Sequence, residues 1–304
     1  MGTQFTILID DKVSLSVAKE AAESAFREVR RIEELMSEWL PSSEVSAINR
    51  RSGKDPVAVS EETLSLIKQS LRLSARSDGA FDITWAAYRG LWDFKTPGDV
   101  PNERERASRR ALVDWRKVSL DSASNTVSLL IPGAKIGLGA IAKGYGIDRA
   151  AVTLKSHGLR RFLINGGGDI FGLGKKRDGT SWAIGVQHPR RREAIISRLP
   201  LDGTAVVSSG DYERYFESDG VRYHHILDLK TGLPARKSVA VTVRAQVTST
   251  ADALATAVFV LGPTAGLDLI RQTPGAEAAV FCPDGRIEVT EGLRSHFPTR
   301  WDQR

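Results

Sequence analysis

This chain is poor in the residues that build covalent or thiolate frameworks. It has one cysteine, Cys282, so no internal disulfide can form and no cysteine cluster can hold a metal. Cys282 closes the apolar run Ala-Ala-Val-Phe-Cys at 278–282 and reads as a buried strand residue, not as a nucleophile. No run of about 20 apolar residues occurs, which excludes a membrane-spanning helix from the expectations. Internal repeats and low-complexity tracts are absent, and so is any recognised nucleic-acid motif. The net charge of +6 comes largely from arginine clusters at 30–31, 50–51, 109–110, 160–161 and 190–192. They are scattered and carry no interleaved aromatics, so a solvated surface is expected and no nucleic-acid partner. A basic segment leading into an apolar one is missing at the start, as is a lipobox cysteine. The chain as given is therefore expected to be cytoplasmic, or periplasmic or cell-surface if an N-terminal export segment precedes it.

What is present is the composition of a globular chain, 41% hydrophobic and 26% charged over 304 residues. Phe5 to Ile9 alternates like a strand. Ala18, Ala22, Ala25, Val29, Ile32 and Met36 recur at helical spacing, and the helix ends before Pro41. Ser60 is a plausible cap for a second helix carrying Leu64, Ile67 and Leu71. A hairpin is predicted over 117–131, turning at Ser124 and Asn125, and a third helix from about Ala140 to Gly158. Strands follow near 161–165, 182–187, 205–208, 214–217, 223–227 and 239–247, with Asp219-Gly220 as a hairpin turn. A helix then stops at Gly262, and Pro283-Asp-Gly285 turns a last hairpin. Interspersed helices and hairpins predict an α+β fold rather than a doubly wound sheet. The charged, turn-rich stretch 97–109 is expected to be a mobile surface loop.

Four segments carry chemistry. In Ala-Asp-Ala-Leu-Ala-Thr-Ala at 251–257, Asp252 and Thr256 stand four residues apart, so a helix puts both oxygens on one face. Two such oxygens suit magnesium, a hard cation that shares its shell with substrate phosphates. Asp252 alone could instead serve the dipole of its own helix start. At 136–148 a glycine-rich turn opens into a helix bearing Lys143, an arrangement that lets amides and an ammonium approach phosphate. Asn-Gly-Gly-Gly-Asp at 165–169 follows an apolar strand, and His224-His225 lies in a further strand after Ser-Ser-Gly-Asp-Tyr at 208–212. Neighbouring strand residues face opposite ways, so one histidine of the pair is expected to reach a site.

In this order and wording the chain resembles the ApbE family of FAD:protein FMN transferases. The resemblance runs from Met-Gly-Thr at the start through Met-Ser-Glu-Trp at 36–39 and Gly-Ala-Phe-Asp-Ile-Thr at 79–84 to the 251–257 block. It implies one compact two-lobed domain over 1–304 with FAD between the lobes. It implies Mg2+ as cofactor and FAD as substrate. It also implies an acceptor flavoprotein that receives FMN on a threonine while AMP leaves. Asp252, Thr256 and the main-chain carbonyl of Ala140 would hold the metal, and Lys143 a phosphate or the leaving group. Met1, Trp39, the Ala80-Phe81-Asp82 turn and Ile226 would contact FAD. His225, with His224 as its rival, would take the threonine proton.

Three departures from the family pattern stand out. Trp39 replaces a usual tyrosine, which keeps stacking but loses a phenolic hydrogen bond. Gly137 replaces an aspartate that would contact FAD, and Leu227-Asp-Leu-Lys replaces Asp-Pro-Lys. Two other functions follow from the same residues: a magnesium-dependent FAD pyrophosphatase that uses water as acceptor, and a non-catalytic FAD-binding protein.

Overall fold

The structure is a computed structural model that describes residues 2–94 and 99–303. Its centre is a seven-stranded sheet whose spatial order is the chain order: β1 (Phe5–Ile9), β2 (Phe162–Gly166), β3 (Asp169–Leu173), β4 (Thr204–Gly210), β5 (Ala240–Ala245), β6 (Glu277–Phe281) and β7 (Ile287–Val289). Every neighbouring pair is antiparallel. Side chains alternate across it. Leu163, Val206, Ala240 and Ala279 enter one apolar layer, while Ile164, Val207, Val241 and Val280 enter the opposite one. That period of two, buried on both faces, makes these strands read as nearly continuous apolar runs.

Seven α-helices are described: α1 (Leu15–Met36), α2 (Glu44–Arg50), α3 (Glu61–Arg76), α4 (Glu103–Arg110), α5 (Ala142–Ser156), α6 (Thr248–Leu261) and α7 (Pro263–Arg271). Residues of α5 and α6 line one face of the sheet. The long hairpin Trp182–His188/Arg191–Leu201 and the C-terminal segment cover the other through Trp182, Leu199, Leu201 and Leu293. Eleven of the fourteen residues of α6 are buried; a helix apolar all round belongs between layers, not at the surface. Ser14 and Ser60 cap α1 and α3 with their side chains. The buried stripe of α1 runs through Ala21, Ala25, Val29, Ile32 and Met36, so Ala21 takes the core place expected of Ala22. The arrangement is α+β.

Two expectations are corrected. Of the stretch 97–109, residues 97 and 98 lie outside the described residues. From Glu103 on, the chain is helical, started by a capping box between Asn102 and Glu105. Glu105 three residues after Asn102 is the pattern that marks such a start. The strand expected over 223–227 breaks after His224, and the chain re-pairs as Leu227–Asp228 against Leu233–Pro234. Asp219, at φ 50°, turns the preceding hairpin as its Asp-Gly pair predicts.

Candidate active site

Helices α5 and α6 start without side-chain caps of their own. Each takes its cap from the other. The Asp148 carboxylate on α5 accepts from the Thr248 and Ser249 amides at 2.7 and 2.9 Å and from Ser249 Oγ at 2.8 Å. In return, Asp252 on α6 accepts from the Gly144 amide at 3.0 Å. A carboxylate at a helix start satisfies orphan N–H groups and meets the positive end of the dipole. Asp252 lies beyond the first turn of its own helix, so the dipole it serves is that of α5. The crossing is tight: a Cβ on Gly144 would fall 2.6 Å from the Thr248 carbonyl oxygen. Glycine at 144 is therefore a packing requirement.

Lys143 sits at this crossing and ion-pairs with Asp169 at the start of β3. Both carboxylates are almost sealed, Asp169 at 1% and Asp252 at 5% exposure. Burial raises the Asp169 pKa, the Asp252 charge raises it further, and Lys143 opposes both. Burial also raises Asp252, against Lys143 and the Gly144 amide. Burial alone would lower Lys143, but the charges of Asp252 and Asp169 outweigh it and the net direction is upward. Two buried carboxylates thus share one ammonium. Low-dielectric surroundings make such an excess of negative charge costly, so the donor set fits a further hard cation. Thr256, half-buried, stands one turn along α6 from Asp252, and Ala140 lies just ahead of α5.

The strap leading into α5 is held like a strand. Asn49 bonds both the amide and the carbonyl of Ile136, at 2.7 and 2.9 Å. The Gly137 amide donates to Ile83 O at 2.8 Å, and Trp85 Nε1 donates to Gly137 O at 3.0 Å. A Cβ at Gly137 would lie 3.0 Å from the Trp85 ring, so the glycine makes room for that indole. The adjoining turn contains Ala80, Phe81 and Asp82. Asp82 accepts from the Thr84 amide and hydroxyl, both at 2.7 Å, and from the Trp115 amide at 3.0 Å. Its carboxylate is engaged within the fold, as are both backbone groups of Ile226. Trp39 stands exposed after the end of α1. Met1 lies outside the described residues.

The two histidines part company. His224 is buried, its Nε2 bonded to Ala235 O and its Nδ1 accepting from the Ile226 amide. It packs edge-on against Phe259, three residues past Thr256, which draws this strand end alongside α6. The His225 side chain faces solvent and its amide donates to Arg214 O. Enough protein surrounds His225 that desolvation, aided by the His224 and Arg214 charges, pushes its pKa down to about 4. Two recesses open elsewhere. One of about 170 Å³ lies between α3 and α6 at Gln69, Arg72 and Thr250, with Ile141 and Ala253 also in its wall. A polar one of about 380 Å³, at Arg190, Tyr212 and Arg222, reaches Glu213.

The structure thus gathers Lys143 and Asp252 into one cluster, with Thr256 and Ala140 on the same two chain segments. Trp39 and the 80–82 turn lie beside the strap. Asp169 and Asp148 were not among the expected site residues. The glycine-rich block at 165–169 was the signal for Asp169, while nothing local announces that Asp148 reaches residue 248.

Residues 1–281 match the model of the ApbE family. The FAD:protein FMN transferase of Vibrio cholerae is 35% identical over 272 residues, covering 88% of this chain and 81% of its own length. The protein of the same name from Treponema pallidum is 33% identical over 311 residues, with 96% and 85% covered. Among solved structures, the ApbE protein of Thermotoga maritima superposes with a TM-score of 0.87 at 35% identity, covering 98% of this chain and 96% of that one. The V. cholerae flavin transferase does so with 0.87 at 30% identity, with the same coverage.

Proposed function

This chain belongs to the ApbE family, and on that premise we propose that it transfers FMN from FAD to a threonine hydroxyl of an acceptor flavoprotein. The observation that carries the proposal is the buried Asp252–Lys143–Asp169 cluster, set where the starts of α5 and α6 cross. The bond between the FMN phosphorus and the AMP oxygen breaks, a bond from that phosphorus to the threonine Oγ forms, and AMP leaves. Chemistry of this kind needs alignment and charge neutralisation more than covalent participation by the enzyme. Asp252 and Thr256, with the Ala140 carbonyl, are the residues that would hold Mg2+, which supplies charge neutralisation on the diphosphate. Lys143 adds a point charge for a phosphate oxygen at the uncapped start of α5. His225, whose side chain is exposed beside the buried His224, is the residue that would accept the threonine proton. His224 holds the strand end in place.

The test is to incubate the purified protein with FAD and Mg2+, with and without a threonine-bearing acceptor domain, and to follow products by mass spectrometry. An FMN-sized mass gain on the acceptor with AMP released is the expected result. FMN and AMP without an adduct would instead assign a pyrophosphatase. FAD that stays intact would sink both enzymatic functions.

A further inference from the structure

Trp39 leaves 76% of its surface open, yet its other face is covered. The Arg89 guanidinium lies over the indole with Cζ 3.6 Å from the ring centroid. That guanidinium is itself pinned. It donates to Glu38 Oε1 at 2.9 Å and to the Glu38 carbonyl at 3.2 Å. The Glu38 side chain is only 7% exposed, and its Oε1 lies against the strap before Lys143, 3.8 Å from where a Cβ on Gly139 would stand. Arg89 Nε is buried without a hydrogen-bond partner, so the fold tolerates an unsatisfied donor to keep the guanidinium flat on the ring. A single exposed aromatic is ordinary on a protein surface. One clamped from behind by a nearly buried ion pair is not, because such a pair contributes little net stability and instead fixes geometry.

We propose that Arg89, held by Glu38, is a positioning residue: it presets the Trp39 indole so that its open face stacks on a flat heteroaromatic ring of FAD. The inference rests on the function given above. Stacking on a ring already fixed in orientation avoids the entropy of ordering it at the moment of binding. The isoalloxazine and the adenine share the required chemistry. Through Glu38, which lies against Gly139, the same clamp sets the platform beside the strap that leads into the lysine helix.

The test is equilibrium binding of FAD, FMN and ADP, without acceptor, to the wild-type protein and to Trp39→Ala, Arg89→Lys and the double variant. Lysine keeps the charge for Glu38 but cannot lie flat on an indole. Each single variant is expected to weaken FAD binding by roughly threefold to tenfold, to raise KM more than it lowers kcat, and to reduce the change in flavin absorbance on binding. In the Trp39→Ala background Arg89→Lys is expected to add nothing, since it acts through that ring. Weakening confined to FMN places the isoalloxazine on the indole, and weakening confined to ADP places the adenine there. An Arg89→Lys protein that binds as the wild type does, or a penalty that persists without Trp39, overturns the inference. A wild-type protein that binds no FAD overturns the function above and this inference with it. Should Arg89→Lys fail to fold, Arg89→Met with Glu38→Gln keeps the volume without either charge and is expected to give the same loss.

Discussion

Two nearly buried ionic groups lie a few residues apart along the strap at 136–143, and they are built differently. Around Lys143, two carboxylates face one ammonium. Around Arg89, one carboxylate faces one guanidinium. The first group is unbalanced: burial raises the pKa of both carboxylates, so the excess negative charge is relieved by a retained proton or by an arriving cation. The second is closed on itself and holds its neighbours still. An ion pair that balances locally belongs to the scaffold, and one that does not is poised for a ligand.

This contrast can be broken by removing one charge from each group. Asp252→Asn keeps the shape and an oxygen for the Gly144 amide while relieving the imbalance, so it should leave thermal stability unchanged or higher. Turnover should fall by at least about a hundredfold. Full activity in excess Mg2+ would dismiss the cluster as the reacting centre. His225→Ala comes next, with kcat lower by about a hundredfold and a near-native Tm. His224→Ala should do the opposite, losing stability first, because it removes a buried, doubly bonded ring. The reverse ranking would move the base to His224. Glu38→Gln should cost about 2–4 kcal/mol in chemical denaturation by stranding the Arg89 charge, while kcat changes little. An unchanged denaturation midpoint would show that the closed pair does not brace the fold.

A pH series sharpens the same distinction. Desolvation, the largest influence, pushes the pKa of His224 down to about 4, below its unfolded value near 6.5. The unfolded chain therefore binds the proton more readily, so the stability contributed by neutral His224 is full above pH 6.5. It is lost as pH falls toward 4. Between pH 6.5 and 5 the Tm of the wild-type protein should decline more steeply than that of His224→Phe, and equal slopes would remove His224 from the account. The smallest effect is expected from Asp148→Asn. It weakens the caps on Thr248 and Ser249 by about 1 kcal/mol, seen as a Tm lower by a few degrees.

The sequence carried the fold wherever a local rule decided it. Ser60 before an apolar helical stripe and Asp219-Gly220 between alternating runs each have one good structural solution, and those elements stand where expected. The strand Arg191–Leu201 did not show itself, because only its second half alternates and its first three residues are all exposed. Helix α4 was hidden by its charge, although its capping box was in plain view. At the site, Asp252 and Thr256 four residues apart were legible because helical period alone groups them. Asp148 and Arg89 were not, because their partners are 100 or more and about 50 residues away. No periodicity spans such distances.

The exchanged caps of α5 and α6 make the lysine cluster an all-or-nothing object. Gly144 and Asp252 are 108 residues apart, and between them run four strands of the central sheet. A chain still emerging from the ribosome can form the glycine-rich strap early. It cannot hold a carboxylate at the start of the lysine helix until residue 252 has been made and α6 has docked. The full cluster therefore exists only after α6 has docked, and the Lys143–Asp169 pair alone, one ammonium to one carboxylate, carries no excess charge to attract a cation.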